Sequence, residues 1–118
     1  VTKWKITINT KGSGWFMAGI IGHNISVSLG SYSHRTCYCW ADCRDVRIAG
    51  INKSGEGGWT TWNVGDTATF SYDPMKHVLA MERAGITYTM STASLLQAYV
   101  HFNFYDGHTG ITLDPRVV

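Results

Sequence analysis

Charge is scarce in this chain. Asp, Glu, Lys and Arg together make up only 15% of its 118 residues, and the formal net charge is +2. The basic residues are scattered singly, so no Lys/Arg stripe follows a phosphate backbone, and a nucleic-acid partner is not expected. Long apolar runs are missing as well: the stretch around Met17 and Ile21 is far too short to cross a bilayer, which argues against a membrane partner. Proline occurs only 2 times. No segment carries a helical period, an internal repeat or a low-complexity tract. No signal peptide is recognisable and the chain starts at Val1 rather than Met, so residues 1–118 are expected to be a single domain excised from a larger protein.

Cysteine is sparse and odd in number: Cys37, Cys39 and Cys43. An odd count leaves a free thiol, which fits a reducing, cytoplasmic location better than secretion. A zinc site draws on four ligands, usually as two spaced pairs, and no second pair exists here. Neither a metal nor another cofactor is therefore expected. Cys37 and Cys39, two apart on one strand face, read as small core hydrophobes rather than a redox or metal pair. Asn24-Ile25-Ser26 and Asn52-Lys53-Ser54 match glycosylation sequons, which matter only in a secreted chain.

What the chain does have is core material: 44% hydrophobic and 13% aromatic residues, enough for one well-filled core. Its 13 glycines punctuate short runs rich in Ile, Val, Thr, Tyr, Phe and Trp, the signature of an all-β sandwich or barrel. Trp4, Ile6 and Ile8 alternate with polar neighbours as one buried strand face. A turn at residues 11–14 leads into residues 15–22, nearly continuous in apolar side chains, as expected of a strand covered on both sides. Ile25, Val27 and Leu29 alternate with serines and predict another short strand. Residues 36–41 and 46–49 predict a pair joined at residues 42–45, followed by a Gly-rich loop at residues 52–58. Ala68, Phe70 and Tyr72 face one side of a hairpin that turns at Asp73-Pro74-Met75-Lys76, where Asp caps and Pro presets φ. Leu79 and Met81 return on the other arm, Arg83-Ala84-Gly85 makes a second turn, and residues 86–90 form a further strand. Residues 91–96 predict one helical turn. Residues 98–105 and 108–113 flank Asp106-Gly107, a strong hairpin signal.

In that order the elements resemble the SPRY domain, the β-sandwich interaction module of tripartite-motif ubiquitin ligases, SOCS-box adaptors and Ran-binding protein M. Trp4-Lys5-Ile6-Thr7-Ile8 is similar to the family's opening W-E-V-x-V strand, and Gly14-Trp15-Phe16-Met17-Ala18-Gly19-Ile20 to its G-W-x-x-G-V segment. Ser31-Tyr32-Ser33-His34 with Tyr38-Cys39-Trp40 resembles S-Y-G-Y and the aromatic strand after it. Gly65-Asp66, the hairpin from Tyr72-Asp73 to Leu79, and Arg83-Ala84-Gly85 are similar to the family's central hairpin and its N-G turn. The resemblance runs from Trp4 to about Leu113. It implies a two-layer antiparallel sandwich of concanavalin-like jelly-roll type with little or no helix. It also implies a non-enzymatic module that binds a short peptide or partner surface through loops at one end, as the substrate receptor of a ubiquitin ligase or as a scaffold. The family's Asn-Gly turn is Ala84-Gly85 here, so either Gly85 carries the backbone strain alone or the turn type differs. The family's upstream strands have no counterpart, and the edge left open invites self-pairing.

Position by position, the resemblance puts partner contacts at Trp40, Asp42 and Arg44 and at Tyr105, Asp106, Gly107 and His108. Aromatic residues and Arg are common anchors of protein interfaces, although a strand Trp such as Trp40 normally buries its ring. No catalytic set is expected. The aspartates sit mostly in turns, as caps, and no Ser lies in a nucleophile elbow. His101 and His108 flank the final turn, near Asp106, with nothing to fix a metal or acid–base geometry. Trp59 and Trp62 are expected to staple the Gly-rich loop to the core. If instead they stack sugar faces, the chain is a lectin-like carbohydrate-binding module.

Overall fold

The alternation of apolar and polar residues builds an all-β sandwich. The computed structural model describes residues 1–12, 14–23, 25–28, 30–93, 95, 97–105 and 108–115. Its strands are β1 (Thr2–Thr10), β2 (Phe16–Gly22), β3 (Tyr38–Ala41), β4 (Val46–Ile48), β5 (Ile51–Asn52), β6 (Thr67–Asp73), β7 (Val78–Arg83), β8 (Ile86–Ser91), β9 (Ala98–Phe104) and β10 (Gly110–Asp114). They form two antiparallel five-stranded sheets, β10-β1-β6-β7-β8 and β5-β4-β3-β2-β9. Helix among the described residues is limited to two 3-residue 3₁₀ turns, Ser31–Ser33 and Glu56–Gly58.

The core fills the space between the sheets. Trp4 and Ile6 of β1 stand opposite Phe70 and Ala68 of β6, and Ile8 shares their inward face. Phe16, Ala18 and Ile20 of β2, with Tyr38 and Trp40 of β3, close over them from the second sheet. The Trp4 and Phe70 rings stack at 5.2 Å with 5° between their planes. Rings of this size each remove about 150–250 Å² from water, so the aromatic layer dominates the apolar burial.

β2 is buried along its whole length. Its outward side chains, Met17 and Ile21, join Cys37, Cys39 and Ala41 in a second, smaller cluster. Ile25 and Tyr32, from the segment between β2 and β3, roof that cluster. The strand expected at Ile25, Val27 and Leu29 is therefore not one. Residues 25–28 pair with no strand and Val27 is exposed, because the segment is used as a cover; Leu29 lies outside the described residues.

Two further expectations are overturned. The described part of the helical turn expected at residues 91–96 is not helical: Ser91 ends β8, and Ala93 is left-handed at φ 50° within a turn that the Leu95 N–H closes on the Thr92 carbonyl at 3.1 Å; residues 94 and 96 lie outside the described residues. β9 and β10 do not form a hairpin either. β9 pairs with β2 and β10 with β1, so the connection crosses from one sheet to the other. A local turn signal reports a reversal of the chain but not which sheet receives the next strand. Asp106 and Gly107, on which that expectation rested, lie outside the described residues.

Trp59 and Trp62 are staples. Both are buried; their indole N–H groups donate to the carbonyls of Ala41 (2.7 Å) and Trp40 (2.8 Å), and Arg83 lies 4.2 Å over the Trp59 ring. No ring face is left for a sugar. The turn after β7 is left-handed at both central residues, Ala84 at φ 53° and Gly85 at φ 79°, so Gly85 does not carry the strain alone. That is the type I′ conformation an Asn-Gly pair adopts, imposed on an alanine by the two-residue spacing between Arg83 and its partner Ile86.

Two stability predictions follow from close approach and strain. A methyl at Gly19 would land on the Tyr38 carbonyl and 2.8 Å from Cys39 Sγ. Gly19→Ala should therefore cost about 1–3 kcal/mol in urea unfolding. Ala84→Asn should add roughly 0.5–1 kcal/mol in the same assay, because Asn tolerates φ > 0 where Ala does not.

Candidate functional site

One end of the second sheet carries a groove walled by aromatic rings. Trp15 immediately precedes β2 and Tyr105 immediately follows β9, and the Tyr105 N–H donates to the Trp15 carbonyl at 2.9 Å. That bond extends the β2–β9 pairing beyond its last strand residues and holds the two side chains at the rim. Tyr32, on the 3₁₀ turn of the roof, meets Trp15 edge to face at 5.3 Å. The Arg47 guanidinium of β4 lies 4.9 Å over the Tyr32 ring. Asp45 holds that guanidinium through both carboxylate oxygens, at 3.1 Å (Nε to Oδ1) and 3.2 Å (Nη2 to Oδ2). Trp15, Tyr32, Asp45, Arg47 and Tyr105 line a shallow, open hollow of about 310 Å³. A second cavity of about 510 Å³ shares Trp15, Tyr32 and Tyr105 and adds Asn103 and Phe104 of β9.

The walls are apolar rings, and the two charges answer each other. Side-chain exposure of Arg47 and Asp45 is only 16% and 12%, so the pair is held in place rather than waving in solvent, and its planar fork fixes Tyr32 from above. The groove thus offers ring faces and an already neutralised ion pair. Such a surface suits a largely uncharged segment that buries apolar area.

The positions taken from the family resemblance fall in different places. Tyr105 is in the groove and 78% exposed. His108 is exposed, beyond β9, and its carbonyl accepts the Thr10 hydroxyl at 3.1 Å. Asp106 and Gly107 lie outside the described residues. Trp40 is a correction: at 1% exposure its ring is core, because it points to the same inward face as Phe16 and Phe70. Asp42 is another. It is 4% exposed, and its carboxylate accepts from the N–H groups of Phe16 (3.0 Å) and Trp62 (3.2 Å) and pairs with Lys11 (2.8 Å), leaving nothing for a partner. Arg44 is exposed on the same turn, but its guanidinium packs beside Gly55 and is not a wall of the groove.

Trp15, Tyr32, Asp45 and Arg47 were missed as site residues. Their sequence signal is weak but present: Trp15 shares parity with Met17 and Ile21 on the outward face of β2, and Asp45 and Arg47 are two apart at the start of a strand. Tyr32 has no such signal, because only the roof brings it over β4.

His101 and His108 build no joint site. His101 is on the outward face of β9, in register with Gly19, under a hollow lined by Val27, Ser28 and Asn103. Among the described residues no group of three or more His, Cys, Asp or Glu side chains converges as metal ligands would.

Comparison with known proteins leaves the sequence alone but places the fold. No family model matches the chain, and no curated protein matches it. The backbone is similar to that of the SPRY domain of human HERC1, with a TM-score of 0.70 and 15% sequence identity over 99% of this chain and 76% of that one. The chain therefore has a SPRY-like fold, the architecture the order of its motifs implied.

Burial lowers the His101 imidazole below its usual pKa. The unfolded chain takes up a proton near pH ~6.5 that the folded ring still refuses, so stability is flat above that point and falls as pH drops from there to the lower folded pKa. Thermal unfolding midpoints should decline over that window. A His101→Gln variant should lose its share of the decline, while unchanged pH curves for the two proteins would remove His101 as the cause.

Proposed function

We propose that this chain is a non-enzymatic protein-recognition module whose aromatic groove holds a short peptide or a partner surface. The observation that carries the reading is the convergence of Trp15, Tyr32 and Tyr105, from three separate segments, around cavities at one end of a rigid sandwich. Loops and strand ends held by such a frame need little reordering to bind, which lowers the entropic cost of association. The SPRY-like fold supports the same reading, since the resemblance noted in the sequence is to interaction modules. Within it, the chain acts as the substrate receptor of a ubiquitin ligase or as a scaffold, in the cytoplasm. The burial of Trp59 and Trp62 removes the feature that favoured a lectin-like alternative.

The test is selection of binders from a displayed random-peptide library, followed by substitution. Tyr105→Ala should weaken selected peptides about tenfold or more, as loss of an aromatic anchor does. Its thermal midpoint should move by less than about 2 °C, because the ring is exposed. A library that yields no binder, or binders indifferent to Tyr105→Ala and to Trp15→Ala, would overturn the assignment.

A further inference from the structure

The two sulfurs beneath the roof are unusually close. Cys37 Sγ and Cys39 Sγ are 3.1 Å apart, both side chains are fully buried, and both are free thiols. The bonded sulfur–sulfur length is about 2.05 Å, so little more than about 1 Å of movement separates the dithiol from a disulfide. Residues two apart on a regular strand have Cα atoms about 6.4–6.8 Å apart, at the far limit of what a disulfide spans. Cys37 stands just outside β3, however. Its N–H donates to the His34 carbonyl at 2.9 Å and its carbonyl accepts from Gly50 at 3.0 Å, so its backbone has left the register of the β3–β4 ladder.

We propose that Cys37 and Cys39 form a dithiol site that takes a low-molecular-weight disulfide as its co-substrate and closes to an intrachain disulfide beneath the groove. One cysteine loses its proton, and its thiolate attacks a sulfur of the small disulfide, forming a mixed disulfide and expelling one small thiolate. The second cysteine, deprotonated in turn, attacks the protein sulfur of that mixed disulfide. The Cys37–Cys39 bond forms and a second small thiolate leaves. The two cysteine protons end on the two departing thiolates, so the protein loses two electrons and the small disulfide gains them.

The surroundings set how this site behaves. The smaller apolar cluster around Met17 and Ile21 encloses the sulfurs, with Ile25 and Tyr32 above them, and Tyr32 is clamped by Arg47. A small disulfide reaches the pair only when Ile25 and Tyr32 move off the cluster, so exchange is slow while they are packed. Burial, with the hydrogen bond to Cys37, raises the Cys39 thiol well above its usual range. The Cys39 thiol thus lacks the thiolate stabilisation that a reactive low-pKa cysteine has, which slows its exchange further. No third ligand converges on the pair among the described residues, which separates it from a metal site. Cys43 is exposed and belongs to the β3–β4 turn, outside the cluster. None of this depends on what the groove binds.

The experiment uses Cys43→Ser protein, equilibrated with oxidised and reduced glutathione at a urea concentration, below the unfolding midpoint, at which alkylation of both remaining thiols runs to completion. Thiol counting and intact mass are read after dilution into native buffer. Both thiols should disappear together, with loss of two hydrogens and no adduct, and return with dithiothreitol; Cys37→Ser on the same background should instead carry one glutathione. Persistence of both thiols in excess oxidised glutathione, or accumulation of glutathione adducts without the intrachain bond, would overturn the proposal.

Discussion

The carboxylate of Asp42 sits where the first residue of β2, the end of β3 and the Trp59–Trp62 segment meet. It accepts from the N–H groups of Phe16 and Trp62 and from the Thr61 hydroxyl, and it pairs with Lys11, whose ammonium also donates to the Trp62 carbonyl. Its own carbonyl accepts from Asp45. A buried carboxylate is tolerable only when its oxygens are occupied in this way, and the same bonds dictate where the attached segments go. Trp15 is one residue from Phe16, and Asp45 closes the turn that Asp42 opens. Two walls of the groove thus take their positions from a single buried charge.

The rest of the groove depends on β2 being covered on both faces. Inward, Phe16, Ala18 and Ile20 belong to the main core. Outward, Met17 and Ile21 need a cover, and the segment between β2 and β3 supplies it at the cost of irregular backbone over the sheet. Tyr32 reaches Arg47 because that cover exists. The aromatic groove and the buried thiol pair are therefore two sides of one feature: rings face solvent above, and Cys37 and Cys39 lie beneath. A change in either is expected to be felt by the other, since close-packed interiors transmit small displacements.

Much of this architecture could be read from the chain. Alternation at Trp4, Ile6 and Ile8, the two-sided apolar run at residues 15–22, and the Asp73 cap before Pro74 all depend on neighbours in sequence, and each appears where expected. Asp73 Oδ1 does accept from the N–H groups of Met75 and Lys76. The misreadings have a common origin. Ile25 and Val27 have strand alternation but no strand beside them, and the turn after β9 joins different sheets. Trp40 and Asp42 were chosen by their place in a motif, whereas burial on the inner face of β3 and at its end decides what they do. Tyr105 came from the same resemblance, and its place beside a turn does leave it exposed.

Strand periodicity and turn chemistry are local, set by sterics and hydrogen bonding within a few residues, so the run of letters was enough to specify a two-layer β-sandwich and most of its turns. The groove is not local. Trp15, Tyr32, Arg47 and Tyr105 are far apart in the chain and come together only through pairing between β2, β3, β4 and β9 and through the roof packed over them. Which side chains meet there, and which charge is consumed inside instead, depended on the sheets assembling and on the burial that assembly imposes.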